Sequence, residues 1–179
     1  MSGAVKQEVF SVALRLSAVT LGFKDVETMG LHLEGPACLY EGATATRRQG
    51  INFPRETWQQ WYKGVPAKER TAVHKQLDDA LRADPGIRYV IAYRQGDVQT
   101  RKHELQHAKY ALDTAYRARA DAVWAQLTPE QRKQIGAFLD RLGYPAKVHT
   151  DEWQAYLATE SDNFFGIKLD AAKLELMRA

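Results

Sequence analysis

Cysteine is almost missing from this chain: Cys38 is the single one among 179 residues. No internal disulfide framework can form, which favours a reducing compartment. Long apolar runs are missing too. No stretch of about 18 uncharged apolar residues occurs, so no membrane-spanning helix is expected. The run Val9–Leu14 is closed by Arg15 rather than by a small-residue cleavage site, which argues against a secretory signal. Charge of one sign is scarce: 25 Lys and Arg oppose 22 Asp and Glu, a formal net charge of +3. Such a balance requires neither nucleic acid nor an anionic membrane as partner. The expectation is a soluble, cytoplasmic protein without repeats or low-complexity segments.

What remains is ordinary globular material. Hydrophobic residues make up 45% of the chain and charged residues 26%, enough for one core in a single domain of residues 1–179. Phe10, Val12, Leu14, Leu16 and Ala18 alternate with Ser11, Arg15 and Ser17 and favour a strand, with a helix as the alternative because Ala13 and Val19 fill other positions. Leu31–Leu33 and Ala37–Tyr40 are short strand candidates around a Gly35–Pro36 turn, and Gly42 to Gly50 reads as a loop. Helical spacing begins at Pro54, with Trp58, Trp61 and Tyr62 as core residues. Pro66 opens a second helix bearing Val73, Leu77 and Leu81, which ends at Asp84–Pro85–Gly86. Ile87–Tyr93 is the clearest strand, and a long helix follows from about Thr100 to Leu127. Thr128–Pro129–Glu130–Gln131 is a capping box for a helix with Ile135, Phe138, Leu139 and Leu142 on one face. Thr150 caps another helix from Asp151 to about Glu160, and a last one begins near Asp170. The pattern predicts an α+β fold: a small mixed or antiparallel sheet, with helices gathered toward the C-terminus.

One segment carries chemistry. His103–Glu104–Leu105–Gln106–His107 reads H-E-x-x-H. On a helix, residues four apart share a face, so both imidazoles can point at one ion. Zinc suits neutral imidazole nitrogens and takes about four ligands, one of them water in a catalytic site. Glu104, beside the first His, can take a proton from that water and pass it to a leaving amine. At about 100° per residue, Leu105, Ala108, Leu112 and Tyr116 fall behind the His pair. That back can pack on a sheet supplied by the strand just upstream. Tyr110 and Thr114 share the His side.

Two residues compete as third ligand. Asp113 has the spacing of the H-E-x-x-H-x-x-G-x-x-[HD] pattern, but Tyr110 occupies the Gly position. On an unbroken helix it points about 100° away from the His pair. Glu152 is the stronger candidate: it opens a second helix, with one helix between to make the return. As first-turn acids, Asp151 and Glu152 also suit the helix dipole alone.

These residues resemble the zincin metallopeptidases, and within them the gluzincin-like branch, whose third ligand is a Glu on a helix downstream of H-E-x-x-H. Glu152–Trp153–Gln154–Ala155–Tyr156 is similar to the E-x-x-A-x-x-x-A helix of small cytosolic zincins that cleave phage repressors and other regulators; Ala158 falls one place short of the last Ala. The resemblance implies zinc bound by His103, His107 and Glu152, Glu104 as general base, and a peptide or protein substrate. It covers the segment from His103 to Ala158.

A peptidase also needs a group to stabilise the oxyanion. His149, three residues before Glu152, and Tyr156, one turn after it, are the candidates. Arg47–Arg48 and Arg101–Lys102 read as solvated surface, and His32, His74 and Cys38 carry no motif. The expected activity is zinc-dependent peptide hydrolysis. A non-catalytic binding or regulatory module on the same scaffold, and a zinc hydrolase acting on another amide, are the competing expectations.

Overall fold

The structure is a computed structural model that describes residues 17–42, 48–161 and 163–178. Among these residues lie three strands and eight α-helices. Strand β1 (Ala18–Phe23) leads into α1 (Val26–Tyr40), capped by Asp25, which accepts from the Thr28 amide at 2.7 Å. Strand β2 (Gly50–Pro54) is followed by α2 (Arg55–Gly64), α3 (Ala72–Ala83) and strand β3 (Tyr89–Arg94). Five helices complete the chain: α4 (Val98–Leu112), α5 (Thr114–Gln126), α6 (Pro129–Arg141), α7 (His149–Thr159) and α8 (Asp170–Met177). The α+β class holds, with a small mixed sheet on the H-E-x-x-H helix. Among the described residues no helix is long and apolar enough to cross a membrane.

Strand order is β1-β3-β2, with β1 parallel and β2 antiparallel to β3. The β-branched and aromatic run at β3 takes the centre, where both faces are covered. Period-two alternation then sorts the side chains. Val90 and Ala92 of β3, Ile51 and Phe53 of β2 and Val19 of β1 join Met29, Leu33 and Ala37 of α1 in one cluster with Trp58 and Tyr62. Tyr89 and Ile91 face the other way and meet Ala108, with Leu105, Ala111 and Leu112 beside them. The sheet is thus held between α1 and the predicted apolar back of α4. A third cluster, built from Tyr116, Ile135, Leu139, Trp153, Leu157 and Leu176 among others, joins α5 to α8. Helix α7 lies between this cluster and α4 and buries Glu152, Trp153, Gln154, Ala155 and Leu157.

Several local expectations are corrected. The strand candidates at Leu31–Leu33 and Ala37–Tyr40, and the Gly35–Pro36 turn between them, are all part of α1. Pro36 cannot donate to the carbonyl of His32; that carbonyl instead accepts from Nε2 of His74 at 2.8 Å. Gly35 brings α1 close to α2, because a Cβ there would overlap the Trp61 indole. The strand expected from Phe10 lies outside the described residues up to position 16, and β1 begins only at Ala18. Within the expected loop, residues 43–47 are not described, and β2 begins at Gly50. Pro66 precedes a short 3₁₀ turn, and α3 starts instead at Ala72, after Thr71, whose hydroxyl accepts from the His74 amide as the cap. The expected long helix is two helices, broken at Asp113. Helix α7 begins at His149 without a side-chain cap, so Thr150 is not its cap.

Candidate metal centre

Helix α4 presents His103 and His107 one turn apart, both buried. Their Nε2 atoms lie 3.1 Å apart. Helix α7 brings Glu152 against them: Oε2 is 3.6 Å from Nε2 of His103, and Oε1 is 3.7 Å from Nε2 of His107. Among the described residues, these three alone form a group whose donor atoms lie within 4.8 Å of one another. Ligands about 2.0–2.1 Å from a tetrahedral ion stand about 3.3–3.4 Å apart. The observed spacings bracket that value. Oε2 of Glu152 and Nδ1 of His103 are buried without a hydrogen-bond partner, although buried polar atoms are normally satisfied. An ion held by two imidazoles and this carboxylate would satisfy the orphaned oxygen, so the residues fit a metal.

The neighbours of the cluster support that role. Nδ1 of His107 donates to Oδ1 of Asp151 at 2.9 Å, leaving the Nε2 lone pair for the cluster. Asp151 also accepts from Nε2 of Gln154 at 2.9 Å, and Tyr116 donates to Oε1 of Gln154 at 2.8 Å. Tyr116, expected on the sheet-facing back, belongs instead to α5 and this buried chain.

Electrostatics follow burial. It pushes Glu152 up to about 7, with His107 pulling the other way. Burial also lowers His103 to about 4 and raises Glu104. For His107 burial works downward too, but the carboxylates of Asp151, Glu152 and Glu104 outweigh it and hold the imidazole well above its ordinary value.

Glu104 turns from α4 toward the sheet. Its Oε2 accepts from Nδ2 of Asn52 at 2.8 Å. It shares with the three cluster residues a cleft of about 440 Å³, also lined by Tyr144, Tyr156, Glu41 and Arg48. Tyr156 packs its ring on His103, centroids 4.4 Å apart, and its hydroxyl lies 3.2 Å from that of Tyr144. Tyr144 is delivered by the end of α6, where Gly143 adopts φ 91°, a conformation suited to glycine.

Not every candidate reaches the cleft. His149 is absent from its lining; Nε2 of that ring lies 3.1 Å from the Tyr144 carbonyl and 3.3 Å from Oδ1 of Asp140. Asp113 caps α5, accepting from the Tyr116 amide at 2.9 Å, and stands outside the cluster. Arg48, expected as solvated surface, has a side chain only 7% exposed, paired with Glu41 and Glu34. Its neighbour Arg47 lies outside the described residues. Burial raises Glu41 to about 7 against the pull of Arg48. Tyr144, Glu41, Arg48 and Asn52 carried no sequence signal for this site. Asp151 carried one, as the acid beside Glu152.

No protein-family model, curated protein or solved structure matches the chain.

Proposed function

We propose that the chain is a zinc-dependent metallopeptidase. The observation that carries this reading is the convergence of His103, His107 and a buried, unpartnered Glu152 oxygen at the wall of a cleft that also holds Glu104. His103, His107 and Glu152 would hold the metal. When bound, zinc would polarise the scissile carbonyl and acidify water. Glu104 takes the proton from the attacking water and gives it to the leaving amine; its raised affinity for a proton suits that exchange. Asn52 holds the carboxylate in place from the sheet side. Tyr156 and Tyr144 bring hydroxyl groups into the cleft, where they can donate hydrogen bonds to the developing oxyanion. Asp151 orients His107.

The reading is tested by metal analysis together with hydrolysis of an unfolded protein substrate. Wild type should carry one zinc per chain and cleave. Glu104→Gln should keep zinc and lose turnover, and Glu152→Ala should lose zinc. Zinc uptake without hydrolysis by wild type would leave the binding-module alternative standing instead.

A further inference from the structure

Gly50 and Asn52 are two residues apart on β2, so both face α4. Each meets the Glu104 carboxylate differently. Asn52 donates to Oε2. Gly50 makes room: a Cβ there would overlap Oε1 and the carboxyl carbon. The Asn52 amide is itself held, because Tyr89 donates its phenol to Oδ1 at 2.6 Å. Turning the amide over would set its NH₂ against that hydroxyl and its oxygen against the carboxylate. Tyr89 is fully buried, Asn52 is 4% exposed and Glu104 5%. The chain of bonds therefore runs out of bulk water, where each is strengthened and each orphaned atom costs more. A carboxylate has a broad terminal torsion when left to itself, whereas a general base must sit within about 2.6–3.2 Å of the proton it takes.

We propose that Gly50 and Asn52 form a receptor for the Glu104 carboxylate, and that Asn52, locked by Tyr89, is a positioning residue that commits Oε2 and leaves Oε1 to meet the reacting proton. The inference rests on the peptidase reading, which gives Glu104 its task. A purely structural role predicts that losing Asn52 weakens the whole site together. A positioning role predicts that the base is misplaced while the metal ligands stay.

The test uses the full chain loaded with Co²⁺ and acetohydroxamate as probe. A hydroxamate binds a metal through its two oxygens and donates its hydroxyl proton to a nearby carboxylate, so its affinity reports where Glu104 sits. The variants are Asn52→Ala, Tyr89→Phe and Asn52→Asp, the last keeping the shape while replacing the donor by an acceptor. Expected is Co²⁺ affinity within about twofold of wild type, with acetohydroxamate affinity down about 10- to 100-fold in both Asn52 variants and less in Tyr89→Phe. With a peptide substrate, kcat should fall at unchanged KM. If Asn52→Ala does not melt cooperatively, Asn52→Asp and Tyr89→Phe carry the comparison. Wild-type hydroxamate affinity in the Asn52 variants overturns the positioning role, as does loss of Co²⁺ affinity in step with the probe. A wild type that binds Co²⁺ and the probe but cleaves no peptide sinks the peptidase reading and leaves the probe comparison intact.

Discussion

Nδ1 of His107 lies 2.9 Å from Oδ1 of Asp151, so one short helix supplies both a carboxylate for the cluster and the carboxylate that orients the opposite imidazole. Side chains that hold a ligating histidine in one tautomer are typically worth about 10- to 100-fold in metal affinity. Asp151→Asn should lower zinc affinity by about that factor, and Glu152→Ala by more, in competition against a chromophoric chelator. Equal affinity for wild type and Asp151→Asn would mean that the hydrogen bond serves only the packing of α7 on α4.

Zinc binding should depend on pH. Burial raises Glu152 from 4.5 to about 7 in the metal-free protein. Its contribution to stability is therefore whole below about 4.5 and is lost as pH rises through about 7, where the buried carboxylate must ionise. A bound cation reverses that loss and displaces protons on uptake. The rise in Tm on adding zinc should be larger at about pH 8 than at about pH 6. A rise that is the same at both values would exclude Glu152 as a ligand that titrates.

Asp113 separates a cap from a ligand. Its side chain accepts from the Tyr116 amide, and its own amide donates to the Lys109 carbonyl at 2.8 Å. Asp113→Ala should cost about 1 kcal/mol of stability, the usual worth of an N-cap, in urea titration. Zinc affinity should not move. A drop in zinc affinity would return Asp113 to the list of ligands.

Two glycines of α1 should respond with opposite signs. In a helix interior, Gly→Ala gains about 0.5–1 kcal/mol. At Gly30 a Cβ has nothing within 4 Å, so Gly30→Ala should show that gain. At Gly35 the added Cβ collides with the Trp61 indole, and overpacking costs about 1–3 kcal/mol. Gly35→Ala should therefore be net destabilising in the same urea titration. A stabilised Gly35→Ala would mean that α1 and α2 part easily.

The fold was most legible where local pattern and tertiary role agree. The phase of α4 placed Leu105, Ala108 and Leu112 against the sheet, and the strand before it supplies Tyr89 and Ile91 as the apolar surface they meet. The Thr128 capping box was readable because caps act over a few residues. Helix α1 was not legible, because Gly35 and Pro36 are turn formers whose tolerance depends on distant partners: Trp61 fills the space beside one, and His74 satisfies the carbonyl freed by the other. The break at Asp113 was not legible, because the apolar spacing runs across it although Asp113 caps the second helix. Of the candidate site, the cluster itself could be read from spacing, since His103, His107 and Glu152 sit on helices whose order was clear. The surroundings could not. Asn52, Tyr144 and Arg48 arrive from separate segments, and no periodicity reports which of them meet.

The alternation along β2 ties chemistry to folding. Ile51 and Phe53 point into the hydrophobic cluster under α1, while Gly50 and Asn52 look the other way. Sliding this strand by one position against its neighbour would expel two large apolar groups at the same moment that it removed the amide from Glu104. A molecule with a misaligned edge is thus penalised before it can present a misplaced proton acceptor, and correct assembly of the interior proofreads the alignment of the base.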